Sequence, residues 1–159
     1  MNALSIQPRA FTDVDTQRLV AEVQAEYVVR YGGPDKAPIA DGEFDPPGGA
    51  FFVGYDADGP VAMGGWRLRS DVQPFGPGRT AEVKRMYVAP AARRRGHARS
   101  LLAHLEETAR EAGANAMVLE TGTEQPEAIR LYLEAGYEII EKYGYYSWSP
   151  RSRCFGKRL

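Results

Sequence analysis

A cluster of basic residues directly before a predicted helix has the clearest chemistry in the sequence. Residues 93–98 read Arg-Arg-Arg-Gly-His-Ala and follow the strand-like residues 81–88. The first N–H groups of a helix are unpaired and carry a partial positive charge, so that end of a helix attracts anions. Gly96 lets the backbone adopt turn angles and approach a ligand closely, and arginines form forked hydrogen bonds with phosphate oxygens. The segment therefore predicts a phosphate site, and the alternative is a basic loop that only happens to precede a helix.

Two motifs in this part of the chain resemble those of the GNAT N-acetyltransferase family. The first runs from Val83 to Pro90 and continues as Arg93-x-x-Gly96-x-Ala98. It resembles the family's acyl-CoA signature, Gln/Arg-x-x-Gly-x-Gly/Ala after a strand that ends in Val-x-Pro. The second runs from Gln125 to Tyr137 and is similar to Asn-x-x-Ala-x-x-Leu-Tyr-x-x-x-Gly-Phe/Tyr, with glutamine where asparagine is usual. Two motifs at the family's usual separation are more specific than either alone.

The resemblance implies an α/β (α+β) fold, the GNAT acyl-CoA N-acyltransferase fold. Its sheet is mixed and mostly antiparallel, with splayed strands 4 and 5, and is flanked by helices. The pantetheine arm of acetyl-CoA would lie in the gap between strands 4 and 5 and pair with the backbone of Met86 and Val88. The pyrophosphate would lie on the N–H groups of residues 94–99. The cofactor-binding residues implied in this way are Met86, Tyr87, Val88, Arg93, Arg94, Arg95, Gly96, His97, Ala98, Arg99, Gln125 and Ala128. For His97 the alternative is an exposed position without a role.

The same resemblance implies two residues for proton transfer. A lysine-like amine has a pKa of about 10.4, so at neutral pH a base must take its proton. Glu82 matches an acidic strand position that serves as the base in several family members, and the alternative is an exposed carboxylate paired with Lys84 or Arg67. Tyr132 resembles the family tyrosine that protonates the departing thiolate, and the alternative is a core aromatic residue.

The elements that must position these residues follow from periodicity and turn signals. The order is β-α-loop-β-β-β-α-β-α-β-β, which indicates one mixed α/β domain spanning residues 1–159. The predicted strands are 3–9, 50–55, 60–69, 81–88, 116–120, 137–140 and 154–159. The predicted helices are 14–31, a helix that follows Ala98 and stops at Gly113, and 126–135. Gly64 and Gly65 inside the third strand predict a bulge or a close backbone approach.

The composition excludes several classes of protein. The 159 residues are 43% apolar and 26% charged, which is typical of a soluble globular chain, and no apolar run reaches the roughly 18–20 residues of a membrane span. The start of the chain lacks the pattern of a secretory signal. One cysteine and two histidines argue against a disulfide framework and a zinc site. We therefore expect a cytoplasmic protein that uses no metal.

The net charge of −1 argues against nucleic-acid and membrane partners, but it hides two clusters. Residues 84–99 hold six basic residues and no acidic one, whereas residues 35–58 hold six acidic residues and one basic residue. Most such clusters are solvated surfaces. The alternative for the acidic cluster is the mouth of an acceptor site that attracts a cationic substrate.

Three functions are compatible with the phosphate site. The resemblance implies an N-acetyltransferase that moves the acetyl group of acetyl-CoA directly to a primary amine of a small molecule or peptide. A non-catalytic acyl-CoA sensor or regulatory module would need only the loop and the splayed strands. A nucleotide enzyme is disfavoured, because neither Gly-x-x-x-x-Gly-Lys-Ser/Thr nor Gly-x-Gly-x-x-Gly occurs. Homodimers are common in the resembled family, so a homodimer stays open.

Overall fold

A single seven-stranded sheet organises the chain in the computed structural model, which describes residues 3–159. The strand order across the sheet is β1-β2-β3-β4-β5-β7-β6. The strands are β1 (Ser5–Pro8), β2 (Gly49–Asp56), β3 (Gly59–Leu68), β4 (Thr80–Val88), β5 (Ala116–Gly122), β6 (Glu138–Ile139) and β7 (Ser152–Arg158). The helices are α1 (Val14–Tyr31), α2 (His97–Glu111) and α3 (Pro126–Glu134). Every strand pair is antiparallel except β4 with β5, so the predicted mixed, mostly antiparallel sheet is confirmed.

Local capping signals explain why the helix bounds match the prediction so closely. The Asp13 side chain accepts a hydrogen bond from the N–H of Asp15 at the start of α1, which satisfies one of the unpaired donors there. Gly32, with φ of 80°, ends α1 in the left-handed conformation, and its N–H bonds to the carbonyl of Val28. Gly113 and Gly136, with positive φ, follow α2 and α3.

The splay between strands 4 and 5 is confirmed by their pairing. β4 and β5 pair over only three positions, from Thr80 with Ala116 to Glu82 with Val118. Beyond that point the two strands have no pairing with each other, although β4 still pairs with β3 and β5 with β7. The sheet therefore opens after Glu82, and the unpaired part of β4 leads towards the basic loop.

A β-bulge bends β4 inside this opening. Met63 pairs with Tyr87 and Gly65 with Lys84, so Gly64 of β3 faces two residues of β4. The extra residue lies in β4, where Arg85 has φ of 57°, although the sequence pointed to the glycines of β3. Their role is the predicted close approach, because a Cβ on Gly65 would collide with Phe51 and with the carbonyl of residue 50.

The two faces of the sheet bury separate cores. In β2, Phe52 packs in one cluster and Phe51 and Val53 in the other, as alternation along a strand requires. Leu19 and Val23 of α1 cover the second cluster. The first cluster is covered by Leu101, Leu102, Leu105 and Ala109 of α2 and by Tyr132 of α3.

The remaining differences lie at strand ends. β1 and β6 are shorter than predicted, while β5 continues to Gly122 and β7 begins at Ser152. Within residues 3–159, none of the helices is long and apolar enough to cross a membrane. In the same residues, no three or more histidine, cysteine or acidic side chains cluster to hold a metal ion.

Candidate active site

The start of α2 offers backbone donors that no side chain of residues 3–159 uses. Gly96 is the N-cap residue, with φ of 80° and no side-chain cap. The first intrahelical bond comes from the N–H of Ser100 to the carbonyl of Gly96, which leaves the preceding N–H groups without helical partners. A Cβ on Gly96 would meet nothing within 4 Å, so the glycine is required by its backbone angle rather than by space. This end of α2 can therefore bind an anion.

The arginines of the basic loop are partly engaged within the protein. Arg93 donates from Nε to the carbonyl of Val88 at 2.8 Å and from Nη2 to Glu26 at 2.8 Å. It therefore braces α1 against the end of β4. Arg95 lies 3.9 Å from Asp56, and Arg99 is 3.2 Å from Glu134. Arg94 is exposed and forms no ion pair with another residue of the described chain.

His97 is not at an exposed position, so that alternative is wrong. Its side chain is buried at 4% exposure, and its Nε2 has no hydrogen-bond partner among residues 3–159. Ala98 is half-buried and packs against the core. The first turn of α2 therefore holds one unsatisfied polar atom beside its unpaired backbone donors.

The open edge of β4 carries the residues predicted to meet the pantetheine arm. Met86, Tyr87 and Val88 lie beyond the last β4–β5 pair. The Tyr87 hydroxyl donates to Glu22 at 3.2 Å, and burial, followed by the charge of Glu22, raises the pKa of Tyr87 to about 12. The Val88 carbonyl already accepts one hydrogen bond from Arg93.

Tyr132 lies at the inner face of α3 and is buried at 6% exposure. Its ring contacts the rings of Tyr137 and Phe155, with centroids 5.9 and 6.3 Å apart. Burial, and to a lesser degree the nearby Tyr27, raises the pKa of Tyr132 well above its usual range. The hydroxyl is therefore protonated at neutral pH and can act as a donor. Ala128, one turn earlier, packs against the same core.

A pocket of about 510 Å³ lies where β5, the end of α1 and the loop before β7 meet. Its aromatic walls are Tyr27, Tyr31, Tyr146 and Trp148. Gln125 also lines it, and its side-chain amide donates to the Tyr31 hydroxyl at 3.2 Å. Of the acidic cluster at residues 35–58, Asp35 lines this pocket. Its carboxylate already accepts from Arg85, from the Tyr146 hydroxyl and from the N–H of residue 37.

A second pocket of about 280 Å³ lies beside β3 and β4 and contains Glu82. Glu82 is buried at 2% exposure, and its Oε1 accepts from Arg67 Nε at 2.9 Å and Arg69 Nη1 at 3.0 Å. The carboxylate is therefore paired with Arg67, as the alternative stated, but it is buried rather than exposed. Arg69 was missed by the sequence analysis, although it lies two residues after Arg67 and on the same face of the strand. Lys84 and Tyr143 also line this pocket.

Glu120 is the residue that both pockets share. It lies near the end of β5, directly opposite Cys154 of β7. Ser152 donates to its Oε2 at 2.7 Å, and burial is the main cause that raises the pKa of Glu120. The sequence places Glu120 and Thr121 at the end of the fifth strand, near the expected acceptor site, and predicts that they help to shape that site.

The aromatic loop before β7 forms pocket walls. Tyr146 and Trp148 line the larger pocket, while Tyr143 and Tyr145 line the smaller one. The Tyr143 hydroxyl is buried without a hydrogen-bond partner among the described residues. Burial, and then the charge of Glu82, raises its pKa well above the usual range.

Comparisons with known proteins identify relatives of the whole fold. Residues 16–137 match the model of the acetyltransferase (GNAT) family. The IAA acetyltransferase of Azospirillum brasilense is 42% identical over 78 residues, covering 49% of this chain and 51% of that protein, so the match spans about half of that relative. The uncharacterized N-acetyltransferase YjgM of Escherichia coli K12 is 33% identical over 134 residues, covering 78% of this chain and 75% of that protein. A candidate acyl-CoA N-acyltransferase from Klebsiella pneumoniae has a similar structure, with a TM-score of 0.77, 26% identity and coverage of 98% and 97%.

Proposed function

This chain belongs to the GNAT acetyltransferase family, and from that premise we propose that it transfers the acetyl group of acetyl-CoA to a primary amine. The family itself indicates an acyltransferase. The observation that carries the proposal is that β4 and β5 separate after Glu82, and that the open part of β4 leads towards the uncapped start of α2. The acceptor proposed is a small molecule or a peptide with a free amine.

The residues present fit acetyl-CoA. The backbone donors at the start of α2 and the unpartnered Nε2 of His97 favour an anionic group there. Arg94 and Arg99 add positive charge at the surface, while Arg93 supports the loop through Val88 and Glu26. The open edge of β4 from Met86 to Val88 can pair with the amide groups of a pantetheine arm, and Gln125 lines the pocket at the other side of the gap.

The proposed chemistry is direct transfer without an acyl-enzyme. The amine nitrogen attacks the thioester carbon, a carboxylate takes the amine proton, and Tyr132 protonates the thiolate that leaves. The high pKa of the buried Tyr132 keeps the hydroxyl protonated until it is needed. Glu82, the predicted base, lines the smaller pocket together with a second carboxylate, Glu120. Both candidate bases therefore line the smaller pocket, whereas Tyr132 lines neither pocket and lies behind Tyr27, which lines the larger one.

We also propose that residues 1–159 form one domain that acts in the cytoplasm, alone or as a homodimer. All seven strands belong to one sheet, which supports the single domain. The net charge of −1 supports an enzyme without nucleic-acid or membrane partners.

Replacing Tyr132 with Phe separates a catalyst from a non-catalytic acyl-CoA sensor. Because general acids contribute about 100-fold or more to rate, we expect Tyr132→Phe to lower kcat by at least that factor. Its Kd for acetyl-CoA, measured by calorimetry, should stay within about twofold, since the ring remains in the core. Tyr55→Phe is the matched control, because it removes a tyrosine hydroxyl on β2 that bonds to Asp15 and Arg9 and has no proposed role in proton transfer. A wild type that binds acetyl-CoA but has no turnover to lose would support the sensor instead.

A further inference from the structure

The two carboxylates of the smaller pocket have opposite surroundings. Glu82 is buried, and its Oε1 is shared by the guanidinium groups of Arg67 and Arg69. Arg67 also pairs with Glu43. The charge of Glu82 is thus compensated within the protein, and its main contacts hold β3, β4 and the loop before β2 together. A carboxylate bound in this way is suited to positioning its neighbours.

Glu120 has a different set of partners. One oxygen, Oε2, accepts a hydrogen bond from the neutral hydroxyl of Ser152. No basic side chain of the described chain lies within ion-pair distance of it, and Lys84 is the nearby positive charge that acts on it. The carboxylate is half-buried and faces both pockets. Glu120 therefore retains an oxygen for an incoming group at the junction of the two spaces.

We propose that Glu120 is the catalytic residue that takes the proton of the acceptor amine, while Glu82 is a positioning residue. This inference rests on the proposed acetyl transfer. As the N–C bond to the acetyl group forms and the C–S bond breaks, the amine proton passes to the Glu120 carboxylate. The thiolate receives a separate proton from Tyr132, so the product is a neutral amide and a free thiol.

The charged and titratable groups around Glu120 set the pH at which it becomes a base. Lys84 and Glu82 face it from β4, and Ser152 and Cys154 face it from β7. Asp35 faces it from the loop after α1, and Tyr143 from the loop before β7. Burial raises the pKa of Glu120 most, and the charges of Glu82 and Asp35 add to that effect, against the Ser152 bond and Lys84. A base must be ionised, so activity should fall as the pH drops through this raised pKa.

The test compares kcat/KM against pH for the wild type, Glu120→Gln and Glu82→Gln with one amine. The titration of that amine is the same in all three proteins, so differences between the profiles come from the enzyme. We expect Glu120→Gln to lower kcat about 100-fold or more and to keep its acetyl-CoA affinity. It should also lose the acidic limb of the profile, which is the fall in kcat/KM at low pH. Glu82→Gln should keep the limb but move it to lower pH, because one charge that raises the pKa of Glu120 is removed. It should also lose stability, because Arg67 and Arg69 lose the carboxylate that they share. Glu111→Gln is the control, since Glu111 is exposed on α2.

Glu120→Asp keeps a carboxylate that is one methylene shorter. We expect it to restore the acidic limb, with a kcat between those of the wild type and Glu120→Gln. The inference is overturned if Glu120→Gln keeps kcat within about threefold with its limb intact, if Glu82→Gln alone loses the limb, or if Glu120→Asp restores neither limb nor rate. A wild type that acetylates no amine would overturn the proposed function itself, so the two failures are distinguishable.

Discussion

Individual glycines in this chain are required for two different physical reasons. At Gly65 a side chain would collide with Phe51 and a backbone carbonyl, so the requirement is space. At Gly96 nothing stands within 4 Å of an added Cβ, but φ is 80°. That angle is unfavourable for residues with a Cβ. The start of α2 therefore depends on the backbone conformation at Gly96.

Replacing Gly96 with Ala should weaken both the fold and cofactor binding. The left-handed conformation costs a residue with a Cβ about 1 kcal/mol, and this cost should appear in urea unfolding. If the loop relaxes to avoid it, the Kd for acetyl-CoA should rise about fivefold, which corresponds to the same free energy. Gly48→Ala is the matched control, because Gly48 has an ordinary φ and open space around it. If Gly96→Ala and Gly48→Ala have the same free energy of unfolding and the same Kd for acetyl-CoA, position 96 does not require glycine.

At the level of single residues, the sequence predicts which side chains could do chemistry better than it predicts which other side chains they contact. The motifs identified Glu82 and Tyr132, but only the folded chain shows that Arg67 and Arg69 converge on Glu82. His97 lies in an otherwise basic and polar loop, and its burial depends on how α2 docks against the core. For Glu120 the sequence predicts a place near the acceptor site, but only the folded chain shows that it lines two pockets. Contacts between distant segments of the chain are not visible in local patterns.

Among the elements, the bulged strand β4 is tied to the long loop after α1. Arg85, the bulge residue, is buried and pairs with Asp35. Asp35 also accepts from Tyr146 of the loop before β7 at 3.0 Å. One carboxylate thus joins β4 to two loops that border the larger pocket.

Removing that carboxylate should destabilise the protein strongly. Leaving one partner of a buried ion pair without the other costs about 3–5 kcal/mol, so we expect Asp35→Ala to lower the free energy of unfolding by about 3 kcal/mol in urea. Asp41→Ala, at an exposed position of the same acidic cluster, should change it by less than about 0.5 kcal/mol. Adding Arg85→Met to Asp35→Ala should recover part of the loss. Equal effects of the two alanine variants would refute this account of the loop.

Element bounds were predicted well where local chemistry sets them. Asp13, Gly32, Gly113 and Gly136 mark helix ends through capping and backbone angle, and the structure has helices between them. The splay of β4 from β5 was implied only by family resemblance, because no local pattern shows where two strands stop pairing. β6 is two residues long, and it owes its existence to pairing with β7.

Across the whole molecule, the two halves of the chain complement each other in charge. Residues 1–80 carry seven basic and eleven acidic residues, and residues 81–159 carry thirteen basic and ten acidic residues. Acids of the first half pair with arginines of the second, as Glu26 does with Arg93 and Asp56 with Arg95. Part of the basic cluster therefore forms ion pairs within the protein. In the proposed phosphate site, the backbone N–H groups at the start of α2 contribute more than these paired arginines do.

The most direct test of the account is acetyl transfer itself. Purified protein is mixed with acetyl-CoA and a broad panel of primary amines, thiol release is followed, and products are identified by mass. We predict thiol release that depends on the amine and matches the amount of one acetylated product, with calorimetry showing binding of acetyl-CoA but not of ATP or NAD. Demonstrated acetyl-CoA binding without any acetylated product across the panel would contradict the central claim.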